Sequence, residues 1–531
     1  MFESHRVRSL WELVEYRADA SRDAPMFFDE TTVAAGAVAV AGGNGHGDAG
    51  QSLTLTFGEV RNRALRLAAG LHGLGIRPGT RVLWQLPTWP ATVVTSLALA
   101  RLGAVQIPVL HLHREREVGF ALRQSAAEYA IVPGEWRGHD YAATARKAAP
   151  ATTRVLSLAD GLPQARTDVL PPFTPPGPTP TWIYYTSGTT ADPKGVEHTD
   201  RALLAGGVGL ATALGMTSAD VGSIAFPYAH IAGPDYVIAM LLSGFPAVVL
   251  DVFDPASAVA AYRRHGVTMA GGSTAFYQAF LDESRHREAP AGPLVPTLRL
   301  LSGGGAPLPP DLYHAAGREL ECAVVHGYGM TECPMIAMGT PYDSDEQLAH
   351  TVGKPVTGAR IRITRPDGTE AGPGEPGEVT VSGPMVCHGY TDPALTAGAF
   401  DADGYFRTGD LGLLRDDGHL VLTGRLKDII IRKGENVSAQ EIEDLLRAHP
   451  AVGDVAVIGL PDRLRGERVC AVVTPAEGGL GPPTLAVLTA YLRGAGLMPQ
   501  KLPEQVEIVG ALPRGGPLNK VRKSVLRGWF A

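Results

Sequence analysis

The stretch Tyr185–Gly195, YTSGTTADPKG, decides how the rest of the chain is read. It follows the apolar run TWIYY, which has the length and composition of a buried strand. Six small or hydroxyl residues, Thr186 to Ala191, then crowd together ahead of one lysine. Gly188 permits a tight backbone turn, and backbone N–H groups with the hydroxyls of Thr186, Ser187, Thr189 and Thr190 can face the oxygens of an anion. Lys194 adds a positive charge. This is not the NTPase P-loop, which needs Gly directly before Lys and Ser or Thr after it; here Pro193 precedes Lys194 and Gly195 follows. A polar turn with a surface lysine is the plainer alternative.

Working outward, segments 57–110 alternate between helical and strand patterns: VRNRALRLAAGLHGLG, RVLWQLP, WPATVVTSLALARLG and AVQIPVL. Such strand–helix repeats predict a mainly parallel sheet covered by helices. The Pro-rich run 171–180 reads as a connector into the opening stretch. Residues 8–20 read as an amphipathic helix, and the Gly/Ala-rich residues 33–50 as a flexible surface insertion. The GGNGHG in that insertion lacks the strand-then-helix context of a dinucleotide fingerprint. After residue 425 the texture changes to a small α+β block. The expected organisation is a large domain over residues 1–424 and a small one over 425–531, with a hinge near Lys427.

A chain of 531 residues exceeds what one core supports, which agrees with two domains. With 45% hydrophobic and 19% charged residues it is globular in composition, and a net charge of −7 without a basic block argues against nucleic acid as a main partner. Cys322, Cys333, Cys387 and Cys470 are too few and scattered for a disulfide framework or zinc site, so a reduced, cytoplasmic setting is the simplest reading. The N-terminus lacks the uninterrupted apolar core of a signal peptide, and no membrane span is expected.

Four further motifs lie downstream: GYGMTE (Gly327–Glu332), YFRTGDLG (Tyr405–Gly412), GRLKDIIIRKGENVSAQEIE (Gly424–Glu443) and NKVRK (Asn519–Lys523). With YTSGTTADPKG, their identity and order resemble the adenylate-forming superfamily of acyl- and aryl-CoA synthetases, peptide-synthetase adenylation domains and luciferases. The motifs span residues 180–523, and RKGENVSAQEIE is most similar to ligases of medium-chain and alicyclic acids. The resemblance implies an α/β fold: helix-covered, mainly parallel sheets plus a distorted barrel, with a small mobile C-terminal α+β domain. It also implies ATP, Mg²⁺ and coenzyme A. A carboxylate would attack the α-phosphate of ATP, pyrophosphate would leave, and a thiol would then take the acyl group from acyl-AMP.

Glu332 is the metal candidate, because a hard oxygen suits Mg²⁺, which takes one or two carboxylates plus phosphate oxygens. By resemblance, Thr331 contacts phosphate, Tyr328 stacks on adenine, and the turn Gly305-Ala306-Pro307 lines the nucleotide site. Asp410 and Arg425 would hold the ribose. Lys520 would bridge carboxylate and α-phosphate where transition-state charge concentrates; Lys523 is the fallback, since Leu518-Asn519 departs from the family's usual small residue and Gly. His230 matches the gate of CoA-forming relatives. Ala232, Gly233 and Gly304, with Gly329 and Met330, would form the acyl pocket, and the small Ala232, Gly233, Gly304 and Gly305 would leave volume for a bulky or alicyclic acid. Lys433, Gly434 and Asn436 would form the thioester face reached by rotation about Lys427. Asp235 could serve an amine, but it lies five residues past His230, not where relatives place that group.

Two alternatives stand beside CoA ligation. The acceptor could be a carrier-protein thiol, although only SVLRGWFA follows Lys523 and no fused carrier domain is expected. Alternatively, adenylation is weakened and the enzyme accepts preformed acyl-AMP, because Ala191 stands where relatives usually have Gly.

Overall fold

The computed structural model describes residues 7–32, 53–186, 193–287, 292–432, 435–462, 466–476, 481–497, 499–515 and 520–530. The insertion expected at 33–50 lies outside the described residues. Contacts group the chain into two compact units. One runs to Arg360 and includes Ser382–Phe400; the other takes Ile361–Val381 and the chain from Asp401 onward. The architecture is mixed α/β, with a large N-terminal and a smaller C-terminal domain. The Gly424–Lys427 segment lies within the second unit.

The first unit carries a seven-stranded sheet. From one edge its strands are Gly389–Tyr390, Lys194–His198, Trp182–Thr186, Val105–Pro108, Arg81–Trp84, Tyr129–Val132 and Arg154–Ser157. The strands from Trp182–Thr186 onward are parallel; Lys194–His198 and Gly389–Tyr390 join antiparallel. Continuous apolar runs such as VLW suit strands buried on both faces, and Val82, Leu83 and Trp84 are fully buried. Helix Phe57–Gly73 begins at a capping box of Thr56 and Glu59. Helix Pro90–Leu102 begins with Pro90 and ends at Gly103, in the left-handed conformation.

A five-stranded sheet in the same unit runs Met269–Gly272, Leu300–Gly304, Ala323–Met330, Cys333–Met338 and Lys354–Pro355. Its first three strands are parallel and its last two antiparallel. A third sheet of four strands contains Gly222–Ile224, Ala247–Val249, Pro25–Asp29 and Leu53–Thr56. Strand ends and turns from the first two sheets carry the candidate site.

The strands Arg360–Thr364, Gly377–Ser382, Phe406–Leu414 and Leu420–Arg425 form one sheet. The C-terminal block has Glu435–Ser438, Ile429–Arg432, Gly466–Pro475 and Val452–Asp462 in antiparallel order, with Gln505–Ile508 added parallel. Helices Ala439–Arg447 and Leu485–Gly494 pack Ile442, Leu446, Leu488 and Leu492 onto Val455, Val457, Val469 and Ala471. Among the described residues, no helix is long and apolar enough to cross a membrane.

Candidate active site

Thr186 and Lys194 face each other across the antiparallel pair that brackets the opening stretch. The apolar run forces the strand, which ends at Thr186. Ser187, Gly188, Thr189, Thr190 and Ala191 lie outside the described residues. The Lys194 ammonium lies 5.3 Å from the centroid of the Tyr390 ring. Tyr390 reaches it because Gly389–Tyr390 pairs with the lysine's own strand, Val196 opposite Tyr390.

The motif GYGMTE forms a hairpin with Thr331 and Glu332 between strands Ala323–Met330 and Cys333–Met338. Gly329 is required there, since a β-carbon would come within 2.1 Å of the Pro334 carbonyl oxygen. Two contacts fix the hairpin tip. His198 Nε2 donates to the Thr331 carbonyl at 2.7 Å. The Tyr390 hydroxyl donates to Glu332 Oε1 at 2.8 Å, and Glu332 is 8% exposed. Burial lowers His198 to about 4 against the stabilising bond to Thr331, so the ring is neutral and carries its proton on Nε2. Burial, then the Glu332 charge, raises the Tyr390 phenol, which stays a donor. Lys194 and Glu332, from motifs far apart in sequence, thus meet on one side chain, Tyr390, that the sequence reading did not single out.

The second missed group is His326. Its Nε2 donates to the Ala306 carbonyl at 2.7 Å, and burial lowers it to about 4. It pins the turn Gly305-Ala306-Pro307, which Gly305 enters at φ +78°. Tyr328 lies in the neighbouring strand, nearly buried and opposite Ala337.

A cleft is lined by Phe120, Tyr184, Tyr185, His230, Ile231 and Thr331. It joins the end of the central strand, the FPYAHIAG segment and the hairpin tip. His230 Nδ1 accepts from the Ala232 N–H at 3.3 Å. The pocket glycines correct the sequence expectation. A β-carbon on Gly233 would lie 2.2 Å from the Tyr228 carbonyl oxygen, and one on Gly304 would lie 2.8 Å from that of Gly327. Their smallness serves backbone packing and opens no volume, so it is no evidence for a bulky acid. Ala232 is exposed, and Met330 pairs with Cys333 at the hairpin's end.

In the second unit, Asp410 and Arg425 are opposite each other in register, and Arg425 Nε meets Asp410 Oδ1 at 2.7 Å. Asp410 is 4% exposed, while the arginine remains exposed. Lys520 is an exposed residue opposite Gly515 in a short antiparallel strand pair. Lys523 is instead held by Glu443, Nζ to Oε1 at 2.8 Å, and Glu443 also accepts from the Val457 N–H. The fallback lysine therefore has a packing role. Lys427 lies in the short turn Leu426–Asp428 and the Asn436 backbone in strand Glu435–Ser438. Lys433 and Gly434 lie outside the described residues.

Among the described residues, no group of three or more His, Cys, Asp or Glu side chains could hold a metal. One fixed carboxylate, Glu332, suits a cation that takes few protein ligands and several phosphate oxygens, which describes Mg²⁺ better than zinc.

The chain matches the AMP-binding enzyme family over residues 28–391 and the AMP-binding enzyme C-terminal domain over 441–516. It is 35% identical to a salicyl-AMP ligase / salicyl-S-ArCP synthetase of Mycobacterium tuberculosis, over 92% of this chain and 87% of that protein. It is also 35% identical to a feruloyl-CoA synthase of an Amycolatopsis species, over 90% and 94%. Its fold superposes with a TM-score of 0.82 on o-succinylbenzoate coenzyme A synthetase from Bacillus subtilis in complex with ATP and magnesium ion, at 26% identity over 98% of this chain and 99% of that one. This chain belongs to the AMP-binding enzyme family, within the adenylate-forming superfamily of acid ligases.

Proposed function

We propose that the chain is an ATP-dependent acid–thiol ligase that makes an acyl-AMP and then a thioester. The carrying observation is Tyr390: its ring lies against Lys194 while its hydroxyl orients Glu332, so the phosphate-loop lysine and the metal-type carboxylate act on one place. Mg²⁺ held by Glu332 would offset negative charge on the ATP phosphates. Lys194, with Thr186 and the loop residues, binds phosphate oxygens; the main-chain contact of His198 holds Thr331 beside them. Tyr328 and the Gly305–Pro307 turn take adenine, and Asp410, preset by Arg425, accepts the ribose hydroxyls.

In the first half-reaction a carboxylate oxygen attacks the α-phosphorus and the bond to pyrophosphate breaks. Lys520 stabilises the concentrated charge of that transition state. In the second half-reaction the small domain turns about Lys427 and brings Lys433, Gly434 and Asn436 to line the thiol's approach. A thiol sulfur attacks the acyl carbon, its proton leaves to solvent, and AMP departs with the bridging oxygen. Closure also excludes water from a hydrolysable anhydride.

The acid is an aryl or other cyclic one. The aromatic lining from Phe120, Tyr184 and Tyr185 supports this, as do the salicyl and feruloyl names of two relatives. Coenzyme A is the acceptor expected from the motifs; the salicyl-S-ArCP synthetase favours a carrier-protein thiol as a second reading. Acid-dependent exchange of pyrophosphate into ATP tests the first half-reaction, and its absence with every acid defeats the proposal. Offering coenzyme A and phosphopantetheinylated carrier protein to the loaded enzyme separates the acceptors.

A further inference from the structure

Gly195 ends the stretch YTSGTTADPKG and takes no part in the proposed chemistry. It stands opposite Tyr185 in the antiparallel pair of Trp182–Thr186 and Lys194–His198. Glycine weakens a strand interior, so its presence there calls for a close approach. A β-carbon on Gly195 would lie 2.6 Å from Thr391 Oγ1 and 3.3 Å from Gln124 Oε1. The slot left by the glycine holds a clamp of side chains. The Tyr185 hydroxyl donates to Gln124 Oε1, and Gln124 Nε2 donates to Thr391 Oγ1. The Thr391 N–H donates in turn to the Gly195 carbonyl at 2.8 Å.

Both ends of the clamp are anchored. Gln124 is the last residue of helix Glu115–Gln124, whose Val118, Ala121 and Leu122 share one buried cluster with Leu83, Ile107 and Ile183. Phe120 of the same helix meets the Tyr185 ring edge-on, centroids 6.0 Å apart. At the other end Thr391 follows Tyr390, whose ring lies at Lys194 and whose hydroxyl holds Glu332. The segment before Tyr390 is tied by main chain: the His388 N–H donates to the Glu197 carbonyl and the Cys387 N–H to that of Glu332, each at 2.8 Å. The Tyr390 N–H goes to Thr396 Oγ1 at 2.9 Å. After Tyr390 the chain is held through Thr391, and the side chain that holds Thr391 is Gln124.

We propose that Gln124 is a positioning residue for adenylation: through Thr391 it sets the Tyr390 side chain, and through Tyr390 the relation of Lys194 to Glu332. The proposal goes beyond the acid-ligase reading and rests on it. Simple packing is the plainer account of an exposed glutamine at a helix end, yet it leaves Gly195 without a reason. A side chain at 195 would fill the slot and strengthen the strand. Glycine instead gives the slot to an amide that bonds two hydroxyls at once. One hydroxyl is on the strand that leads into the phosphate loop; the other is beside the residue that joins lysine to carboxylate.

The test compares the full-length wild type with Gln124→Ala, Thr391→Val and the double variant. Acid-dependent pyrophosphate exchange is followed across a Mg²⁺ titration, transfer from preformed acyl-AMP to a thiol is measured beside it, and ATP binding at graded Mg²⁺ is read by calorimetry. Gln124→Ala is expected to lower kcat/KM for exchange about 3- to 10-fold and to raise the half-maximal Mg²⁺ concentration by a similar factor, with transfer within about twofold of wild type. Thr391→Val removes the hydroxyl, keeps the shape and should do the same; it carries the test from the other end of the bond if the alanine variant folds poorly. The double variant should lose no more than the worse single one, because the two residues act as one device. Equal loss of both half-reactions with Mg²⁺ dependence unchanged makes Gln124 structural and overturns the proposal, as does a double variant whose losses multiply. A shifted Mg²⁺ requirement for ATP binding in Gln124→Ala, with no exchange by either protein, defeats the ligase reading and leaves the clamp. Wild-type exchange that Gln124→Ala leaves unchanged does the reverse.

Discussion

Replacing Tyr390 by phenylalanine isolates the contact on which the site's assembly depends. The substitution removes the hydroxyl that donates to Glu332 at 2.8 Å and keeps the ring beneath Lys194 at 5.3 Å. A hydrogen bond to a carboxylate contributes about 1.5–3 kcal/mol, so Glu332 loses that much orientation. If the loss falls on the adenylation transition state, kcat/KM drops about 10- to 100-fold at 1.36 kcal/mol per decade. Because Glu332 is the proposed Mg²⁺ ligand, the Mg²⁺ concentration for half-maximal rate should rise in parallel. Tyr390→Leu removes the ring as well, and losing the cation–π contact costs about 0.5–1 kcal/mol more. The assay is acid-dependent pyrophosphate exchange across a Mg²⁺ titration, with thioester formation from preformed acyl-AMP measured beside it. The second reaction should stay within about threefold of wild type, since that step does not need the pyrophosphate-side metal. A folded Tyr390→Phe enzyme with exchange and Mg²⁺ dependence indistinguishable from wild type would refute the reasoning.

Lys520→Ala should abolish adenylation and largely spare transfer from preformed acyl-AMP; equal loss of both half-reactions contradicts its role. Lys523→Ala should behave differently: it takes one partner from the nearly buried Glu443, which keeps the Val457 N–H and Arg447, and lowers stability by about 2 kcal/mol, read by urea denaturation, with adenylation kept in the folded fraction. Asp410→Asn should weaken ATP binding by about 10-fold or more without altering the fold, measured by nucleotide titration. The buried histidines set an acid limit. His198 and His326 titrate near 4 in the folded chain against an ordinary 6.5, so between those values the unfolded chain binds more protons. Stability is therefore present above pH 6.5 and lost as pH falls toward 4, by on the order of 3 kcal/mol for each histidine. Thermal melts of wild type and His326→Gln across that range check the sign, and the variant should show a shallower acid loss.

What the sequence made legible was local. TWIYYT and VGDVAVIGLP read as strands because their apolar runs are short and bounded, and they are strands. The motif GYGMTE could be read as a turn because its glycines allow one. Long-range pairing was not legible. Tyr390 is one tyrosine in CHGYTDP until the strand pairing with Val196 brings it to Lys194 and Glu332. His198 and His326 look like ordinary core histidines, yet each holds a carbonyl of a turn assigned to the site. Gly233 shows the opposite error: a small residue suggests space, while here it permits contact with Tyr228. That the Asp235 carboxyl is buried against Gly206, far away in sequence, is likewise recorded by no local pattern.

The central claim is that a carboxylate oxygen becomes bonded to the α-phosphate of ATP. It can be followed directly by offering an acid whose carboxylate oxygens are both heavy-isotope labelled, with ATP and a thiol acceptor, and weighing the products. The account predicts one labelled oxygen in AMP, one in the thioester and none in pyrophosphate. Label in inorganic phosphate with ADP as co-product, or AMP without label, would contradict it.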